Sequence, residues 1–291
     1  MKLEGCYTAL VTPFADGNVD YDQLADLVEE QIQAGIDGLV PVGTTGESPT
    51  LDFDEHPKVI ETVIEAAAGR CPVIAGTGAN ATAEAVRLTR MAADAGADAT
   101  LQVTPYYNKP TQEGLFRHFC EVADQGGLPV VLYNVPGRSG REIAVDTVAR
   151  LAEHPNIIGV KEAGGSVDRV SQILAKCDIS VVSGDDSLTL PMMSVGARGV
   201  ISVASNLVPA DMTRMVHFAL EGDLNAAQAL HSRLYPLFRD LFLETNPIPI
   251  KAAMAMAGKI REEYRLPLCA MSDANRAMLK ASLQLAGISL A

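Results

Sequence analysis

Residues 157–161 read Ile157-Ile158-Gly159-Val160-Lys161, an apolar run that ends on one charge and passes directly into Glu162-Ala163-Gly164. A run with no polar alternate suits a strand covered on both faces, as in a parallel sheet. Seven more runs of this kind occur, at 6–11, 38–42, 73–75, 99–103, 130–133, 179–182 and 200–203. Their spacing leaves room each time for a strand, a helix and two short loops. Between them lie amphipathic stretches. Over 20–34, Leu24, Leu27, Val28 and Ile32 share one face at helical spacing; over 82–95, Thr82 stands as the cap of a helix with Val86, Met91 and Ala92 near a common side. Eight strand–helix units in succession predict a closed (β/α)8 TIM barrel, with an open doubly wound sheet as the alternative.

From about residue 222 the strands stop. Helical stretches at 224–242, 248–257 and 273–285 follow, separated by Asn246-Pro247-Ile248-Pro249 and Leu266-Pro267, where prolines act as breaks. No Gly/Ser or charge-run linker intervenes. The expected organisation is a catalytic barrel over 1–221 and a C-terminal helical extension over 222–291 packed on it.

Bulk composition excludes some partners. Hydrophobic residues make up 48% of the chain, so a large core is available, and the net charge of −13 argues against nucleic acid or an anionic membrane as partner. The same field repels an anionic metabolite, so a carboxylate substrate needs a local Arg or Lys. Five scattered cysteines without a C-x-x-C pair read as small apolar residues in a reducing compartment. Residues 1–12 lack a basic stretch followed by an apolar core, and no run approaches the ~18 apolar residues of a membrane span. The expectation is a cytoplasmic protein.

In a parallel barrel the chemistry lies where the strands end, because the following loops converge there. Lys161 ends its run, and alternation places it on one face with Ile157 and Gly159. Inside a barrel, desolvation favours the neutral amine that attacks a ketone; on the outside the same residue snorkels or pairs with Glu162. Tyr133 shares a face with Val131, as a proton relay or as a rim aromatic. Gly43-Thr44-Thr45-Gly46-Glu47 offers two hydroxyls between glycines, for a small anion or for a turn with a helix cap. Arg138, after Pro136-Gly137, presents a fork that matches a carboxylate, or is a surface arginine. Gly76-Thr77-Gly78-Ala79-Asn80-Ala81 fits a dinucleotide fingerprint but follows the third strand, and Asp98 falls before the next strand rather than at its end. The five histidines show no metal-site spacing.

Together, Gly43-Thr44-Thr45-Gly46-Glu47, Tyr133-Asn134-Val135-Pro136-Gly137-Arg138 and Gly159-Val160-Lys161-Glu162-Ala163 resemble the dihydrodipicolinate synthase (4-hydroxy-tetrahydrodipicolinate synthase) family of pyruvate-dependent class I aldolases, over essentially the whole chain. The resemblance implies condensation of pyruvate with L-aspartate 4-semialdehyde in lysine (diaminopimelate) biosynthesis, with no cofactor and no metal. It makes Lys161 the Schiff-base lysine and Tyr133 the acid/base. Thr44 then links Tyr133 to Tyr107 from a neighbouring subunit of a homodimer or of a homotetramer built as a dimer of dimers. Thr45 holds the pyruvate carboxylate, Arg138 meets the semialdehyde's carboxylate, and Gly184 and Ile201 line the site. Ser48, His56, Asn80, Glu84 and Tyr106 match an allosteric site for L-lysine, a feedback inhibitor, while Pro49 and Phe53 stand where enterobacterial members have a small residue and a histidine. Relatives such as N-acetylneuraminate lyase and 2-keto-3-deoxy-sugar-acid aldolases share the lysine and tyrosine, but typically lack the Asn-Val-Pro-Gly-Arg arrangement. A non-catalytic keto-acid binder would have no use for the full hydroxyl relay.

Overall fold

The computed structural model describes residues 1–291. Eight parallel strands stand in its centre: β1 (Gly5–Ala9), β2 (Gly38–Val40), β3 (Ile74–Gly76), β4 (Ala99–Val103), β5 (Val130–Asn134), β6 (Ile157–Glu162), β7 (Ser180–Ser183) and β8 (Gly199–Ser202). The ladder runs β2-β1-β8-β7-β6-β5-β4-β3. A parallel bridge between Leu39 and Val73 then joins β2 to β3 and closes the ring. The fold is therefore the (β/α)8 barrel and not the open sheet.

A helix follows each strand: α1 (Tyr21–Gln33), α2 (Glu55–Ala67), α3 (Thr82–Ala95), α4 (Gln112–Gln125), α5 (Val145–Ala152), α6 (Val167–Leu174), α7 (Thr189–Ser194) and α8 (Pro209–Glu221). Side-chain caps set several starts. Asp20 accepts from Gln23 N at α1, Thr111 from Gly114 N at α4 and Ser166 from Arg169 N at α6. Thr82 departs from the expected cap. Ala81 holds the cap position of α3 without a side-chain bond, and the Thr82 hydroxyl lies 3.0 Å from His118 Nδ1 instead.

Two layers of apolar side chains follow from the strand alternation. Tyr7, Val40, Ile74, Leu101, Val131, Tyr133, Val182 and Ile201 fill the barrel interior. Val130, Leu132, Val160 and Val181 face outward to the helices. One strand breaks the rule. Val130 pairs with Ile157 but Val131 pairs with Gly159, so Ile158 is an extra residue on β6. The bulge turns Ile157 outward, which corrects the expectation that it shares a face with Lys161. Gly159 does face inward: a Cβ there would sit 2.5 Å from Leu3 Cδ2. Regular alternation from Gly159 onward brings Lys161 to the interior.

The chain ends in α9 (Leu224–Asp240), α10 (Ile248–Met256) and α11 (Asp273–Leu285). Their apolar faces join those of α1, α2 and α8 in one cluster, with Leu27, Val63, Met212, Leu234, Ile250 and Leu279 among its members. Every residue from Ile248 to Met254 is buried, including Lys251. No helix is long and apolar enough to cross a membrane.

Two buried histidines make stability depend on acid. Burial pushes both His56 and His118 down from 6.5 to about 4. Above pH 6.5 they are neutral in both states and cost nothing. Between pH 6.5 and 4 the unfolded chain takes up protons that the folded chain refuses, so stability falls as the pH is lowered through that window. The loss is on the order of 3 kcal/mol per histidine. Urea unfolding of the parent and of His118→Gln between pH 7.5 and 4.5 checks this: the variant should show a shallower decline. Equal slopes would rule out His118 as a contributor.

Candidate active site

The β5–β6 register sets Tyr133 opposite Lys161, and the next pairing sets Lys161 opposite Val182. Lys161 is 6% exposed and Tyr133 is 7% exposed. The Lys161 Nζ lies 4.4 Å from the centre of the Tyr133 ring. The two residues singled out in separate motifs are thus brought together by adjacent strands. Glu162 is not the partner of Lys161. It points to the opposite side of β6, where its carboxylate accepts from Arg169 Nε (2.8 Å), Asn134 Nδ2 (2.8 Å) and Gly164 N (2.9 Å). Burial pushes the Glu162 carboxyl up, and Arg169 offsets part of that. Arg169 also donates to Ile143 O, and Asn134 Oδ1 accepts from Ile143 N. This closed set ties the loop after β5 to β6.

That loop carries Arg138 on a single helical turn, Pro136–Ser139. The side chain is exposed, and its Nη2 donates to Asn246 O at 3.1 Å. Gly184 lies on the other side of Lys161. A Cβ at Gly184 would stand 2.9 Å from Lys161 Cε and 2.7 Å from Ala163 Cβ, so the lysine stem passes only because the residue is glycine. Ile201 is fully buried in the interior. Asp186, after β7, is buried and accepts from Val203 N (3.2 Å) and Ala204 N (2.9 Å), which fixes the end of β8. Burial raises the carboxyls of Asp185 and Asp186, and the Lys161 charge acts in the opposite direction on each.

The Thr44-Thr45 loop is held from several sides. Thr12 donates to Gly46 O at 2.7 Å. The Thr45 hydroxyl, on a residue 3% exposed, accepts from Asn246 Nδ2 at 3.0 Å. Glu47, in the left-handed region at φ 54°, is 1% exposed at its side chain and pairs with Lys251 Nζ at 2.5 Å. Its other oxygen accepts from Arg265 N at 3.3 Å. The glycines of Gly76-Thr77-Gly78 are explained here too. A Cβ at Gly76 would lie 2.3 Å from Val42 O, and one at Gly78 would lie 2.4 Å from Val103 N. They permit tight packing of the rim, with no need of a phosphate.

A cleft of about 570 Å³ opens over this end of the barrel. Thr44, Tyr133 and Arg138 line it, together with Ser48, His56, Glu84 and Tyr106. Lys161 and Thr45 do not line the cleft. Asn80 does not line it either but donates to Tyr106 O at 3.3 Å. Phe53 is 65% exposed, and the Arg87 guanidinium lies 4.8 Å from its ring centre. Tyr107 is the outlier. It is 89% exposed and sits in the left-handed region at φ 71°.

Asn246, Lys251, Arg265 and Arg169 were not singled out from the sequence. One signal was available for Lys251: a lone charge in the otherwise apolar stretch 248–256 demands a buried partner. Asn246 beside a proline reads only as a helix break.

Comparison with known proteins gives the chain's relatives. A sequence model of the dihydrodipicolinate synthetase family matches residues 2–286. A 4-hydroxy-tetrahydrodipicolinate synthase from Thermodesulfovibrio yellowstonii is 51% identical, over 98% of this chain and 99% of its own. The chloride-inhibited dihydrodipicolinate synthase from Acinetobacter baumannii, solved in complex with pyruvate, superposes with a TM-score of 0.96 at 45% identity, over 99% of this chain and 100% of that one. The enzyme from Cyanidioschyzon merolae, solved with lysine bound, gives 0.95 at 40% identity, over 98% and 99% of the two chains.

Proposed function

The chain belongs to the dihydrodipicolinate synthetase family, and on that footing we propose that it condenses pyruvate with L-aspartate 4-semialdehyde to 4-hydroxy-tetrahydrodipicolinate, a step of lysine (diaminopimelate) biosynthesis. The observation that carries this reading is the placement of Lys161 inside the barrel, its Nζ 4.4 Å from the ring centre of Tyr133. The Lys161 amine adds to the ketone of pyruvate, and loss of water gives a cationic imine. The positive nitrogen acidifies the methyl group, and its deprotonation leaves an enamine. The enamine carbon attacks the aldehyde, whose oxygen takes up a proton. The amino group of the semialdehyde then displaces Lys161 as the ring closes, and the amine is regenerated. Each step moves a proton, which suits a hydroxyl relay through Tyr133 and Thr44. No cofactor or metal enters this scheme.

Thr45 is assigned to the pyruvate carboxylate and Arg138 to that of the semialdehyde, the local cation that an acidic protein requires. Gly184 and Ile201 shape the wall beside Lys161. Tyr107 is read as reaching into the site of a neighbouring subunit, in a homodimer or a homotetramer. Its exposure and left-handed backbone on its own chain support that role. L-lysine is assigned to Ser48, His56, Asn80, Glu84 and Tyr106, where a neutral His56 and the Glu84 carboxylate suit an α-ammonium. In this reading residues 1–221 form the catalytic barrel, 222–291 the extension, and the protein works in the cytoplasm.

Pyruvate and aspartate semialdehyde should be consumed together, with no cleavage of N-acetylneuraminate or 2-keto-3-deoxy-sugar acids. Turnover of the sugar acids alone would assign the chain to the other aldolases. Arg138→Ala should lower kcat/KM for the semialdehyde by roughly ten- to a hundredfold, as expected for a lost charge-assisted hydrogen bond. Imine formation should stay within a few-fold of the parent. Equal loss of both would refute the assigned role. Glu84→Ala should abolish inhibition by L-lysine with turnover retained, and persistent inhibition would place the regulator elsewhere.

A further inference from the structure

We propose that Asn246, in the C-terminal extension, is a positioning residue that sets the direction of the Thr45 hydroxyl; this rests on the reading of Thr45 as the anchor of the keto-acid carboxylate. Asn246 is 5% exposed, and its Nδ2 donates to Thr45 Oγ1 at 3.0 Å. A hydroxyl has one proton. When Oγ1 accepts from an amide, that proton is free for a third group. If Oγ1 instead donated to Asn246, it would turn lone pairs toward a substrate carboxylate.

The amide has no local reason to reverse. Its Oδ1 is buried without a partner, and a flip would strand Nδ2 in the same place at a similar cost. The backbone of Asn246 is held independently, since its carbonyl accepts from Arg138 Nη2 at 3.1 Å. Lys251, on α10, grips Glu47 on the same loop at 2.5 Å. The extension therefore touches the Thr44-Thr45 loop through Asn246, Lys251 and Arg265, and of these only Asn246 contacts a hydroxyl assigned to substrate.

A double-mutant cycle separates an effect through Thr45 from a general structural one. Parent, Asn246→Ala, Thr45→Val and the double variant are titrated with pyruvate, and the borohydride-trapped adduct on Lys161 is quantified by mass spectrometry. Asn246→Ala should raise the half-saturating pyruvate concentration by about tenfold. In the Thr45→Val background the same change should shift it by less than about twofold. Additive effects, or no effect of Asn246→Ala on the parent, would overturn the proposal. Should Asn246→Ala fail to fold, Asn246→Asp serves in both backgrounds. It keeps the size but accepts the Thr45 proton, so it should weaken pyruvate at least as much in the parent and far less with Thr45→Val. Absence of any adduct on the parent itself would reject the assigned function rather than the role of Asn246.

Discussion

Lys161→Ala is expected to lower kcat by about three orders of magnitude or more, the scale on which covalent nucleophiles are lost, while the folded state remains about as stable as the parent. The second half follows from how the residue is placed. Lys161 is 6% exposed, and its Nζ lies over the Tyr133 ring. It forms no ion pair that alanine would break, so the substitution removes the chemistry at little expense to the fold. Lys161→Arg should be equally inactive, because a guanidinium stays protonated and cannot add to a ketone. Rates from steady-state assays and midpoints from thermal unfolding check the pair. A Lys161→Ala protein with more than a few per cent of parental turnover would remove the lysine from the mechanism.

Lys251→Met should have the opposite profile, with a large loss of stability. This second lysine is fully buried, and it pairs with Glu47 at 2.5 Å with its Nζ 4.1 Å from the ring centre of Phe14. Burial pushes the Lys251 amine down and the Glu47 carboxylate holds it up. Removing the lysine strands an anion in the interior, which costs about 3–5 kcal/mol. The urea midpoint should fall accordingly, and turnover should drop because Glu47 anchors the Thr44-Thr45 loop. Combining Lys251→Met with Glu47→Gln should recover most of the stability, because no charge then remains unpaired. A single variant that loses less than about 1 kcal/mol would show that the pair is not sealed from water.

These two lysines also mark how far the sequence carries. The barrel was legible because buried parallel strands are apolar throughout and recur at a regular interval, and strand ends then point to Lys161, Tyr133 and Thr44. The bulge at Ile158 was not legible, since an extra apolar residue in an apolar run leaves no trace in the pattern. Nor was the cap of α3: Thr82 has the right residue type, but His118, on α4, engages its hydroxyl. The Glu162–Arg169 pair was hidden for a related reason. Alternation turns the carboxylate after Lys161 to the other side of the strand, but nothing local says that it meets Arg169 there. Asn246 is the furthest case, because its partner Thr45 lies at the other end of the chain and no periodicity connects them.

The central claim is that Lys161 carries the keto acid. Incubating the protein with pyruvate, reducing with borohydride and mapping the modified peptide by mass spectrometry tests it most directly. A single pyruvate-derived adduct on Lys161 is expected, absent without pyruvate and absent in Lys161→Ala. No adduct, or one on Lys251 or an exposed lysine in place of Lys161, would contradict it.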